Sequence, residues 1–326
     1  MGSMKHPNAT DTRSEKSLRL SARERGKIAN GVPRRGFARQ DRSLILFVVP
    51  ALVIYSFVLV VPTLRGSVYA FTDWNGLVPD WQFVGFANFQ GIFENPGSVR
   101  ALTVTLIIAF SITLFQNLVG LFLALGVHSH IKSRYILRVF LFAPAVLTPV
   151  VTAYLWKFIY SPNGPLDQLL GFFGLGAFQQ SWLGDPTWAL ISVINIIIWQ
   201  FAGFSMVIFL AGLEGIPQEV SEAAAVDGAG YWRRTWSVTL PLLGPALTIN
   251  LMLSLIAGFK LFDQVWVMTG GGPAGSTHTL STLIYRNAFQ YGDFGPSIAL
   301  ALILLVLVAT VSIIQYRGLL KGTNQT

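Results

Sequence analysis

Cysteine is missing from all 326 residues. Its absence excludes disulfides, thiolate metal sites and a cysteine nucleophile, and leaves the compartment open. Charge is scarce as well. Only 12% of residues are Asp, Glu, Lys or Arg, against 52% hydrophobic, where soluble domains carry about 25% charged residues. The length would suit one or two soluble domains, but there is too little charge to cover their surfaces. Catalytic signatures are missing too. The nearest approach to a Walker A loop, GFFGLGAF from Gly171, lacks the Lys and Ser/Thr that hold phosphates and magnesium. No H-E-x-x-H pair and no G-x-S-x-G elbow occurs, and the four histidines (His6, His128, His130, His278) are scattered. His128 and His130 stand beside basic residues at a helix end, where a solvated role outweighs metal binding. The apolar runs contain almost no acids, so no paired-carboxylate site lies within them. The chain reads as a polytopic membrane protein with no catalytic site, no metal site and no cofactor of its own.

What is present is a series of long apolar runs. A helix needs about 20 mostly apolar residues to cross the hydrocarbon core, and six stretches meet or approach that length: Ser43–Leu64, Ala101–Val127, Val139–Trp156, Trp188–Leu213, Pro245–Val267 and Phe294–Tyr316. Lipid offers the backbone no water, so runs of this kind are helices. The expected fold is all-α with six transmembrane helices, both termini on one side.

The cations say which side. Eleven of the 23 Lys and Arg residues lie between Lys5 and Arg42. Lys132, Arg134 and Arg138 follow the second run, Arg233 and Arg234 follow the fourth, and Arg317 and Lys321 follow the sixth. The alternate connections are poorer in cations. The positive-inside bias puts both termini in the cytoplasm, and this clustering argues for membrane orientation rather than nucleic-acid binding. The expected segments are a basic cytoplasmic tail (1–42), a first transmembrane helix (43–66), an outer loop (67–99), a core (100–318) with a cytoplasmic loop at 214–244, and a cytoplasmic C-terminus (319–326). The opening Met-Gly-Ser-Met reads as a leader ahead of a start at Met4, and the polar stretch before Ser43 lacks the short apolar core of a cleaved signal peptide. The tail reads as a solvated topological signal, with anionic lipid as the alternative. The outer loop is dense in Trp and Phe from Trp74 to Phe93. Those aromatics suit either the membrane interface or a docking surface for a soluble partner.

One cytoplasmic stretch breaks the apolar pattern: EVSEAAAVDGAGYWRRTWSVTLPLLGP, from Glu219 to Pro245. Pro217 suits the first turn of a helix, and three alanines favour a helix over Gln218–Val226. Asp227-Gly228 is a stop, with Gly228 free to take a positive φ. A helix restarts over Tyr231–Thr239. Small residues let another backbone approach closely, and Glu222 offers a charged anchor. The result is a protrusion suited to another protein's groove, or an amphipathic loop lying on headgroups.

The spacing Glu222-Ala223-Ala224, three residues, Gly228, nine residues, Val238, one residue, Leu240-Pro241 resembles the EAA motif of permease subunits in ATP-binding-cassette importers. Val stands where the usual residue is Ile. Further stretches resemble the carbohydrate branch, of the maltose and glycerol-phosphate type: APAVLTPVVTAYLWKF, FKLFDQVWVMTGGGPAGSTHTLSTLIYRNAF and FTDWN…FVGFANF. The resemblance covers Ser43 to the C-terminus.

It implies the type I importer permease fold in a bacterial inner membrane. It further implies a second homologous permease in a heterodimer, two cytoplasmic ATPases that hold ATP and magnesium, and an external solute-binding protein. Glu222, Ala223, Ala224, Asp227, Gly228, Leu240 and Pro241 would form the joint to an ATPase. The implied mechanism is alternating access. Cavity candidates come from a polar stripe on the fifth run, Asn250, Ser254 and Gly258, continued by Leu261. Polar groups within spans face the bundle interior, while small residues also serve helix packing. Gln200 and Phe204 join them by analogy with the maltose-type permease. Lys157, Lys260 and Arg286 raise an acidic saccharide or a phosphate ester as the alternative to a neutral sugar. Lys260 also stands where it could pair with Asp263.

Overall fold

The computed structural model describes Gly2 and residues 48–129 and 133–323. Apart from Gly2, the basic tail 1–42 lies outside the described residues, as does Lys132. Every regular element among the described residues is helical, apart from one isolated bridge between Thr72 and Phe83. The chain divides into two compact units, the first ending at Thr63 and the second beginning at Leu64. The first contributes residues 48–63, an apolar helical run in which no side chain is buried.

Four helices are long and apolar enough to cross a membrane. They are α1 (Val48–Tyr69), α3 (Pro96–His128), α7 (Pro186–Glu214) and α13, apolar over Phe294–Gly318 and helical to Thr323. Two bent pairs bring the number to six: α4 (Arg134–Val146) with α5 (Pro149–Ile159), bent by 95°, and α9 (Tyr231–Leu242) with α10 (Gly244–Phe259), bent by 69°.

The same local device starts three of these helices, a polar N-cap followed by proline. The Asn95 side chain accepts from Gly97 N at 2.8 Å. Asp185 accepts from Thr187 N and Trp188 N at 2.8 and 3.0 Å. Thr148 accepts from Val151 N at 3.4 Å, ahead of Pro149. This last cap stands inside the third apolar run. A cap cannot sit within a continuous helix, so the span expected over Val139–Trp156 turns sharply at Leu147. The fifth run departs as well. The α10 helix ends at Phe259, and a separate helix, α11 (Asp263–Thr269), follows Lys260–Phe262. The interruption is held from outside, because Thr279 Oγ1 donates to the Leu261 carbonyl at 2.9 Å.

The connection between α1 and α3 has structure of its own. It contains α2 (Ala87–Glu94), Asn88 donates to the Ala70 and Thr72 carbonyls at 2.8 Å each, and Trp74 stacks on Tyr69 at 4.2 Å. Phe83, Phe86 and Phe93 remain exposed. The core runs along α3, α7 and α10. Ile108, Ile112, Val193 and Ile196 fill one cluster, and Met206, Phe209, Leu213 and Leu243 fill another nearer residues 214–244. Close helix approach relies on small residues. A Cβ on Gly203 would collide with the Leu141 carbonyl of α4, and one on Gly258 with the Ala109 backbone of α3.

Candidate functional site

Two features stand out, a cavity among the helices and a protruding loop. The cavity holds about 380 Å³, within the range of about 300–1,000 Å³ usual for small-molecule sites. Asn250, Ser254, Gly258 and Leu261 all line it, one stripe of α10 and its C-terminal end, and Phe204 lines it from α7. Gln116, Ile112, Phe201 and Ala145 complete much of the wall. No charged residue is among the lining residues.

A hydrogen-bonded polar ladder ties the three helices behind this wall. Gln116 Nε2 donates to Ser205 Oγ at 2.9 Å, and Asn250 Nδ2 donates to the Ser205 carbonyl at 3.0 Å. Asn117 Nδ2 donates to Ser254 Oγ at 2.8 Å, and Ser254 Oγ in turn donates to the Asn250 carbonyl at 2.8 Å. Buried amides in lipid need such partners. Asn117 Oδ1 is buried without one.

Gln200 and Lys260 are not in the wall. Gln200 is fully buried beside it, its Nε2 donating to the Leu147 carbonyl at 2.9 Å. Lys260 is the exposed C-cap of α10, and the ion pair among the described residues is Arg138–Glu214 rather than Lys260–Asp263. The other two cations singled out in the sequence are already engaged. Lys157 Nζ donates to the Val267 carbonyl at 3.0 Å. Arg286 Nη1 donates to His278 Nε2 at 2.6 Å. Since arginine is always a donor, His278 is neutral with its proton on Nδ1, which faces Thr282 Oγ1 at 3.2 Å. Burial, and secondly the Arg286 charge, push His278 down to about 4. Gln116 and Phe201 were missed in the sequence. Gln116-Asn117 is a polar pair inside an apolar run, a signal as clear as Asn250.

The loop begins where Gly215 caps α7. Its helix α8 covers Gln218–Val226, and the Gly228 φ is +78°. Gly228 N donates to the Ala225 carbonyl at 3.1 Å and Ala229 N to the Ala224 carbonyl at 3.0 Å, the paired bonds of a Schellman stop. Glu222 is exposed on α8 and accepts from Gln218 Nε2 at 2.6 Å. Ala223, Asp227 and Pro241 are exposed, and Ala224 and Leu240 are half-buried. Val226, Trp232 and Trp236 are large, apolar and strongly exposed, leaving the protrusion with an unpartnered apolar face. Behind it lies a polar groove of about 730 Å³ bordered by Arg134, Arg138, Glu214, Glu222 and Arg234.

Residues 116–317 match the family described as "Binding-protein-dependent transport system inner membrane component". The "Multiple sugar-binding transport system permease protein MsmF" of Streptococcus mutans is 33% identical over 256 residues, 78% of this chain and 88% of that protein. The "sn-glycerol-3-phosphate transport system permease protein UgpA" of Pectobacterium atrosepticum is 34% identical over 244 residues, 74% of this chain and 82% of that protein. Among solved structures, a chain of a bacterial ABC transporter involved in the import of the acidic polysaccharide alginate matches with a TM-score of 0.76. It is 23% identical and is covered over 96% of its length by 87% of this chain, a likeness of fold.

Proposed function

Because this chain belongs to the inner membrane components of binding-protein-dependent transport systems, we propose that it carries a sugar or oligosaccharide into the cytoplasm by alternating access. It is a multi-pass membrane transport subunit. The energy comes from two cytoplasmic ATPases that hold ATP and magnesium, one docked on α8. A second, homologous permease completes the pathway, and an external solute-binding protein delivers the substrate. Both termini are cytoplasmic, as the Lys and Arg distribution supports.

The observation that carries this reading is the chemistry of the cavity wall. Gln116, Asn250 and Ser254 offer uncharged polar groups beside the rings of Phe201 and Phe204, which suits the mixed polar and apolar faces of a sugar. The glycerol-phosphate relative supports a phosphate ester as the second reading. An anion would want a cation, and the wall has none; Arg286 and Lys157 are spent on His278 and Val267. The neutral sugar is therefore preferred.

Purification of the chain from membranes of its own host tests the assembly. An ATP-binding partner should come with it, and the complex should take up sugar when its binding protein is supplied. A chain that purifies alone and hydrolyses or conducts by itself would contradict the reading. For orientation, a reporter active only outside the cytoplasm should work after Gly174 and be silent after Lys132; the reverse pattern would overturn it.

A further inference from the structure

Both interruptions in the apolar runs meet at one side chain. Leu147 ends α4 in an extended conformation, which aims its carbonyl out of the helix ladder. Gln200 Nε2 donates to that carbonyl at 2.9 Å, and Gln200 Oε1 accepts from Gln264 Nε2 at 3.2 Å. Gln264 lies on α11, just past the second interruption, and both glutamines are buried. Gln200 is the middle residue of the 29-residue α7, about 21 Å from either end at 1.5 Å per residue. One amide thus stitches two broken spans together at the middle of α7. Ala145, Phe201 and Leu261 of the cavity wall each lie within three residues of a member of this chain.

The α7 helix packs on α5 and α11 in one buried cluster that includes Ala153, Val193, Ile196, Val265 and Met268, but the polar ties beside these amides sort into two pairs. On one side α4 is bound to α7 by the Arg138–Glu214 pair at 2.8 Å and by the close approach of Leu141 to Gly203. On the other, α5 packs on α11, with Lys157 donating to the Val267 carbonyl at 3.0 Å. The α7 helix leads directly into the protruding loop, so a displacement of that loop moves α7 and α4 together. The break at Leu147–Thr148 then has to open or close.

We propose that Gln200 and Gln264 are positioning residues that latch the two breaks over the cavity, and that displacement of α7 opens the cavity by parting this amide pair. The bond to Leu147 stays, because α4 moves with α7, and the longer amide–amide bond gives way, its freed Gln200 and Gln264 groups meeting water as the cavity opens. The α4–α7 pair then shifts against the α5–α11 pair at Leu147–Thr148, along the apolar cluster that α7 shares with α5 and α11. This inference rests on the transport reading for what drives the motion, not for the latch itself.

Gln264→Leu tests it, since it removes the amide pair and leaves the Leu147 carbonyl bonded to Gln200. In the complete complex the variant should raise ATP hydrolysis without binding protein at least fivefold. The rate with binding protein and sugar should change less than twofold. A merely structural role predicts that both rates and the yield of assembled complex fall together, and that result, or an unchanged basal rate, overturns the latch. The natural absence of cysteine allows a second, independent measurement. Ile112→Cys, buried in the cavity wall, should react with a membrane-impermeant maleimide added outside several-fold faster in the Gln264→Leu background, and Gln264→Asn should fall between. Equal labelling rates overturn the latch whatever the chain transports. A wild-type complex without ATPase activity would instead contradict the transport reading, and the labelling result would still decide the latch.

Discussion

Arg138 Nη2 lies 2.8 Å from Glu214 Oε1, tying the start of α4 to the last residue of α7. Neither side chain is deeply buried, and exposed pairs of this kind contribute about 0–1 kcal/mol. A double-mutant cycle with Arg138→Ala and Glu214→Ala should therefore give a coupling below about 1 kcal/mol in melting experiments. Because the pair also moves α4 with α7, each single variant should lower substrate-stimulated ATP hydrolysis as much as the double. Additive losses of activity would separate the two residues.

Gly228 matters for its backbone, not for space: its φ is +78°, and a Cβ there would meet nothing within 4 Å. An L-residue in that conformation costs about 1–2 kcal/mol. Gly228→Asn should keep most of the stimulated ATP hydrolysis, since Asn tolerates the left-handed region. Gly228→Val should lose at least fivefold, and Gly228→Pro, which cannot take a positive φ, should lose it all. Equal activity in all three would remove the stop from the joint.

Within the cavity, Gln116→Leu deletes a neutral hydrogen-bonding group from the wall. One such bond is worth about 0.5–1.5 kcal/mol, so the KM for uptake should rise by roughly 2–10-fold with the maximal rate little changed. Lys260→Gln should leave uptake unaltered, because Lys260 caps α10 outside the wall. Loss of uptake of an anionic glycan in Lys260→Gln, with assembly intact, would reinstate charge recognition.

His278 gives the segment between α11 and α13 a pH dependence. Its folded value is lowered to about 4 from 6.5 by burial and by Arg286. The unfolded chain therefore binds the extra proton first as pH falls. The stabilising contribution is fully present above about pH 6.5 and is lost as pH falls toward about 4. Melting temperatures of the purified complex should drop over that window more in the wild type than in His278→Gln. Parallel profiles would show that His278 titrates normally.

The protruding loop was legible in the sequence because its signals are local: Pro217, the alanines and Asp227-Gly228 set α8 and its stop residue by residue. The break at Thr148-Pro149 was equally local, repeating the cap-and-proline pattern of Asn95-Pro96 and Asp185-Pro186, but the unbroken hydrophobicity around it read as one span. The interruption at Lys260–Phe262 carries no Pro or Gly of its own and depends on Thr279, a partner 18 residues away, so no window over the run could find it. Periodicity placed Asn250, Ser254 and Gly258 on one face. It could not say that Gly258 both lines the cavity and packs against Ala109. Nor could it say that the Gln200 amide turns away toward Leu147.

Work done by a partner ATPase is proposed to enter this chain through α8. The most direct measurement compares sugar-stimulated ATP hydrolysis and uptake by the reconstituted complex, with its binding protein, between wild type and Glu222→Arg. Glu222 is exposed on α8, so the reversal should leave the chain inserted and folded. Stimulated hydrolysis and uptake are expected in the wild type and neither in the variant. Normal uptake by Glu222→Arg would contradict it.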